Sequence, residues 1–152
     1  MHASLPSLEL NASPLEELTP GLTFQWLFDR QVMAFYAEHS ARTVVDVWAD
    51  KIISVCHTWP PSRRLLMLND FSGKNCAMTP YNQQKNRDLL KMFPHIQVAN
   101  VTVVKQNLTM VLARLFLRAI SGEKDKQVLL TFSRDEGLDW LKKQIENAEI
   151  SV

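Results

Sequence analysis

The stretch 65–80, LLMLNDFSGKNCAMTP, gathers the side chains in this chain that are best suited to chemistry. Four apolar residues, Leu65, Leu66, Met67 and Leu68, run out into Asn69 and Asp70. A loop with Ser72, Gly73 and Lys74 follows, and then Thr79 and Pro80, an N-cap and first-turn pair that starts a helix. A strand, a polar loop and a helix N-terminus in succession is where α/β proteins place ligands or regulatory groups.

Groups that catalysis uses are scattered. Cys56 and His57 are neighbours on a helical stretch, so their side chains point about a quarter-turn apart and do not form a nucleophile and base. Asp70 and His95 meet only by accident of folding. The sequence has no P-loop, GxGxxG, GxSxG or HExxH, and its four glycines leave little scope for a phosphate-cradling loop. We therefore expect no catalysis and no cofactor. Cys56 and Cys76 lack metal spacing, so they read as two reduced thiols and no metal site is expected. Trp48 and Trp59 suggest a stacking pair for a base, but at helical spacing among valines and isoleucines they read as core. Arg114 and Arg118, four apart on an otherwise apolar helix, have the chemistry of an anion clamp, although such pairs usually mark the solvent side.

With 152 residues there is room for one domain with one ordinary core. Seventeen basic and sixteen acidic residues leave a formal charge of +1, so no overall field draws nucleic acid or an anionic membrane. The first 21 residues lack the basic start and continuous apolar run of a signal peptide, and Arg114 interrupts the best candidate for a membrane span. A cytoplasmic protein is the expectation. Asn11, Asn100 and Asn107 each begin a glycosylation tripeptide, which without a leader reads as chance.

Several elements must position the polar stretch. Pro6, Pro14 and Pro20 mark an irregular lead-in with a short helical turn at 15–18. From Leu22 the apolar residues alternate, with Leu22, Phe24, Trp26 and Phe28 on one face, as in a half-buried strand. Asp29 and Arg30 connect it to a second strand over 31–37, apolar on both faces and so deeper in the sheet. Ser40 and Thr43 offer N-caps, Thr43 with Asp46 resembling a capping box. The segment 44–59 puts Val44, Val45, Trp48, Ile52, Val55, Cys56 and Trp59 on one helical face before Pro60 and Pro61 stop it. The helix from Pro80 is polar for two turns apart from Tyr81. Only Leu89, Leu90, Met92 and Phe93 can anchor it, so its front is either a solvated end or a partner surface. A β-branched strand over 98–104 leads to Asn107, a cap for a helix over 108–120 that Gly122 closes. A charged loop, a strand over 128–132 and a Ser133–Glu136 capping box precede the last helix, with Leu138, Leu141 and Ile145 on its apolar face.

The expected fold is α/β: an N-terminal β-hairpin followed by βα repeats, giving a five-stranded mostly parallel sheet with its first strand as the antiparallel edge, and four helices. One domain is expected over 21–147, after an irregular segment 1–20 and before a loose tail 148–152.

On these residues the chain from 21 to 146 resembles the STAS domains, named for sulfate transporters and anti-sigma factor antagonists, and more closely their divergent SpoIIAA-like relatives. The paired N-terminal strands, the LLMLNDFSG strand and loop, the helix after it and the closing FSRDEGLDWL carry the resemblance. It implies a regulatory, cytoplasmic domain of bacterial type. In the anti-sigma antagonists a phosphorylatable serine stands at the start of the helix after this strand, within a sequence of the type DSSGL. Here the sequence is AMTPYN, so Thr79 alone occupies a comparable place, without the serine pair and the following glycine. A phosphate on Thr79 would sit at a positive helix end, while the unmodified threonine is already explained as an N-cap.

The same fold gathers His39, Asp70, Ser72, Lys74, Thr79, Lys105, Asn107, Ser133 and Arg134 at the C-terminal rim of the parallel strands, with helix N-termini aimed there. Two functions follow as expectations. The first is a non-catalytic signalling or scaffolding module that binds a protein partner through the loop and helix front at 72–86, using Asp70, Ser72, Lys74, Thr79 and Tyr81. The second is a carrier or sensor of a small anionic or amphipathic ligand, held at the rim by Lys74, Lys105, Asn107 and Arg134 or between the sheet and a helix.

Overall fold

Alternating apolar stretches pair into a single six-stranded sheet. The computed structural model describes residues 9–105 and 126–150. Its strands lie side by side in chain order: β1 (Glu16–Thr19), β2 (Leu22–Leu27), β3 (Val32–Ala37), β4 (Leu65–Phe71), β5 (Val98–Val104) and β6 (Lys126–Thr131). The β1–β2 and β2–β3 pairs are antiparallel, and the three pairs from β3 to β6 are parallel. Three helices are described: α1 (Arg42–Thr58), α2 (Pro80–Met92) and α3 (Arg134–Ile150).

The α/β class is as expected, and the element count differs. The helix expected over 108–120, with Asn107, Arg114, Arg118 and Gly122, lies outside the described residues. The sixth strand is β1, in the segment expected to be irregular with a helical turn. Pro14 and Pro20 bracket it, and Pro20 followed by Gly21 at φ 91° makes the tight turn into β2. Pairing with β2 outweighs the weak local helical pattern. It continues upstream, where Ser13 N donates to Trp26 O and Ser13 Oγ accepts from Trp26 N at 2.8 Å. β1 therefore replaces β2 as the antiparallel edge, and its short, acidic and exposed start blunts that edge against further pairing. At the other end α3 runs to Ile150, beyond the expected loose tail at 148.

Side-chain alternation sorts the core into two layers. Phe24, Met33, Phe35, Leu65, Met67 and Phe71 face α1, whose Val44, Val45, Trp48, Ala49, Ile52 and Cys56 are buried against them. Leu66, Leu68, Ala99, Val101 and Val103 face α3, under Leu141 and Ile145. β4 is buried along its whole length, which fits its central place in the sheet. Close seating of α3 depends on Gly137: a Cβ there would lie 2.7 Å from Val101 Cγ1.

Two local expectations change. Phe28 leaves the alternation of β2, because Phe28, Asp29 and Arg30 adopt φ of 52°, 56° and 65°, a left-handed turn that sends Phe28 into the α3-side core. α1 starts after Ala41 with no side-chain cap, since Ser40 Oγ instead accepts from Ala77 N at 2.6 Å, and Asp46 is engaged with α2. Among the described residues no helix is long and apolar enough to cross a membrane.

Candidate functional site at the strand rim

α3 packs over β4, β5 and β6. A single helix is about 10 Å wide and strands are about 4.8 Å apart, so it leaves the same face of β2 and β3 to other neighbours. A groove of ≈ 750 Å³ opens there at the rim, lined among the described residues by the β1–β2 turn, the ends of β3 and β4, residues 72–75 and Arg134.

Its floor is built around Asp70. The last residues of β4 alternate sides, putting Asp70 on the α3 face at 5% exposure. Burying a carboxylate demands partners, and four donor atoms converge on it. Arg134 Nε and Nη2 reach Oδ2 at 2.8 and 2.7 Å, Ser72 Oγ donates to Oδ1 at 2.5 Å, and Ser72 N donates to the same oxygen at 3.0 Å. The Arg134 guanidinium also lies 4.5 Å from the ring centre of Tyr36, whose hydroxyl donates to Gln25 Oε1 at 2.8 Å. Burial, only partly offset by Arg134, pushes the Tyr36 phenol up, so it remains a donor at neutral pH.

Arg134 owes its position to a relay at the start of α3. Ser133 Oγ accepts from Glu136 N at 3.3 Å, as a capping serine does. The return arm of the capping box runs through Thr131, whose Oγ1 accepts from Ser133 N and donates to Glu136 Oε2. The loop before α2 is equally tied down. Gly73 lies so close to β3 that a Cβ would sit 3.2 Å from Ala37 O, Cys76 Sγ donates to Ala37 O, and Lys105 Nζ donates to Lys74 O at 2.5 Å. Cys56 and Cys76 are both buried and in no disulfide, and burial pushes the Cys76 thiol up.

The residues singled out from the sequence therefore divide. Asp70, Ser72, Lys74 and Arg134 come together at the groove, with Lys105 bracing the Lys74 backbone. Thr79 caps α2, its Oγ1 accepting from Asn82 N at 3.1 Å. Tyr81 points instead to α1: its hydroxyl donates to Asp46, Lys85 pairs with that carboxylate at 3.3 Å, and Arg42 lies over the ring. The front of α2 is thus latched to α1 rather than loose. Asn107 lies outside the described residues. Cys56 is buried while His57 is exposed with its ring against Phe93, and Asp70 and His95 sit at opposite ends of the parallel strands.

Tyr36, Gln25, Glu17 and Glu38 were missed from the sequence. Tyr36 carried a faint signal, as the one polar-tipped side chain on the otherwise apolar β3. A second aromatic cluster, Trp26 stacked on Trp59 with Arg30 and Arg63 over them, pins the β2–β3 turn to the end of α1. Trp59 is half-buried there, and only Trp48 of the expected pair is full core. No protein-family model, curated protein or solved structure matches this chain.

Proposed function

We propose that this chain is a non-catalytic signalling or scaffolding module, a divergent relative of the STAS-like domains, that holds a protein partner on the surface formed by residues 72–86. One observation carries the reading: α2 buries a single side chain, Asn82, yet its start is rigidly held by the Thr79 cap and the Tyr81–Asp46–Lys85 latch. A helix that contributes little to the core but is firmly positioned offers a preorganised polar face, with Lys74, Asn75, Pro80 and Gln84 exposed along it. The consecutive strand order, the N-terminal antiparallel pairs and the capped helix after the 72–79 loop support the family reading, and β1 is an addition to that pattern.

A small ligand at the rim is the second reading, favoured by the groove itself. Its described lining carries Glu17, Glu38 and Asp70 against Lys74 and Arg134, a balance that suits a zwitterionic or amphipathic molecule better than a plain anion.

The test is affinity capture from the source's own extract with wild type, with a Lys74→Glu/Gln84→Glu variant and with a Glu146→Ala control on exposed α3. A partner held by wild type and control but lost from the double variant is expected. A partner held equally by all three would place the binding surface elsewhere.

A further inference from the structure

Beneath α2, on the opposite face of the sheet from the groove, lies a cavity of ≈ 50 Å³. A water needs roughly 10–15 Å³ of such space, so there is room for about four water-sized groups. Its described walls are apolar, among them Met67, Leu89, Leu90 and Phe93, and carry no charged side chain.

Two asparagines line it, and their orientations follow from their neighbours. Trp48 Nε1 can only donate, and it donates to Asn69 Oδ1 at 2.9 Å. That fixes the Asn69 amide, whose Nδ2 must then donate, and it does so to Asn100 Oδ1 at 2.7 Å. Asn100 is in turn fixed with its NH2 on the far side. That NH2 donates to no group among the described residues, and no fully sealed side-chain nitrogen or oxygen there lacks a partner. A donor on a side chain only 9% exposed is thus left to the cavity that Asn100 lines. On the α2 wall Asn86 Nδ2 donates to Asn82 O and Oδ1 at 3.2 and 3.0 Å, which leaves Asn86 Oδ1 as an acceptor.

We propose that this cavity binds a small uncharged amphipathic molecule whose apolar chain lies among Met67, Leu89 and Phe93, and whose polar head accepts from Asn100 and donates to Asn86. A carboxamide or an alcohol has that pattern. An ion does not, because no charged side chain among the described walls compensates its desolvation. The part of α2 beyond the Lys85 latch is the wall best able to yield for entry, since none of its residues from 86 to 92 is fully buried. The proposal is independent of the partner surface, which lies on the outer side of α2.

The probe is acetamide, whose four non-hydrogen atoms match the cavity volume, titrated into the intact chain while the Asn100 side-chain NH2 and the Trp48 indole N–H are followed by NMR. Saturable shifts of both are expected, with sodium acetate at neutral pH at least tenfold weaker. Leu90→Phe, which fills the cavity and leaves both asparagines, should weaken acetamide at least tenfold, and Asn86→Leu should do the same by removing the acceptor. The absence of a saturable shift up to about 300 mM, where a four-atom ligand of ordinary efficiency binds, would mean that water alone occupies the cavity and would overturn the proposal. Equal binding of acetate, or undiminished binding by a folded Leu90→Phe, would also overturn it.

Discussion

Arg134 in the first turn of α3 and Asp70 at the end of β4 are joined across 64 residues of sequence by a hydrogen bond from Nε and an ion-pair contact from Nη2, both to one carboxylate oxygen. A cation at a helix N-terminus opposes the helix dipole, so Asp70 and the Tyr36 ring hold it there, not α3. The carboxylate is nearly buried at 7% side-chain exposure, while the arginine is 53% exposed. Arg134→Gln should therefore cost about 1–3 kcal/mol by leaving Asp70 under-partnered, less than a fully buried pair because water reaches the guanidinium. Asp70→Asn keeps an acceptor for Ser72 and should cost less. Urea unfolding of both variants and their double mutant should give less than additive losses, and strict additivity would show that the pair does not couple α3 to β4.

Gly137 sets two effects against each other. Helix propensity alone makes Gly137→Ala a gain of about 1 kcal/mol. The new methyl would meet Val101 Cγ1 at 2.7 Å, and Val101 is a stiff β-branched residue buried in the sheet. Overpacking of that kind costs about 1–3 kcal/mol, so net destabilisation is expected. Gly137→Ala should be better tolerated in a Val101→Ala background, and thermal melts of the four proteins measure this.

Periodicity made β2, β3, β4, β5, α1 and α2 legible, because each has an apolar pattern long enough to declare its period, and the Thr79–Pro80 and Ser133 helix starts have their own chemistry. β1 was not legible: four residues, EELT, have almost no pattern, and only their pairing with β2 makes them a strand. Half of the groove was visible in Asp70, Ser72, Lys74 and Arg134, which stand at strand and helix ends. The other half, Tyr36 and Gln25, is made by cross-strand neighbours whose register cannot be read along one strand. Likewise the Trp48–Asn69–Asn100 relay joins residues that look like a core tryptophan, a strand end and a spurious glycosylation site.

The α1–α2 latch should respond to pH at both extremes. The Tyr81 hydroxyl, and after it Lys85, hold the Asp46 carboxyl below its ordinary value of 3.8, whereas the same hydrogen bond raises Tyr81 above 10.0 and Asp46 raises Lys85 above 10.5. A depressed carboxyl contributes stability above its unfolded value and loses it as pH falls through the folded one. A raised phenol or ammonium contributes below its unfolded value and loses it as pH rises. The stability difference between wild type and Tyr81→Phe should thus be largest between pH 4 and pH 10 and shrink outside that window. A difference that does not vary with pH would mean that Tyr81 acts only through packing.

Thr79 separates structural from regulatory use of the α2 start. Its Oγ1 accepts from Asn82 N while Pro80 follows at the first helical position, so Thr79→Ala should lose on the order of 1 kcal/mol. Thr79→Asp still caps and adds negative charge at the positive helix end, so it should be neutral or slightly stabilising. If Thr79 is only a cap, both variants keep their affinity for any partner of the 72–86 surface. If a phosphate at Thr79 is part of the control, the Asp variant must change partner affinity by far more than it changes stability, because the added charge faces the recognised surface. The first outcome is expected. Melting and partner affinity measured on both variants decide it, and a folded Asp variant that loses its partner would make Thr79 the switch.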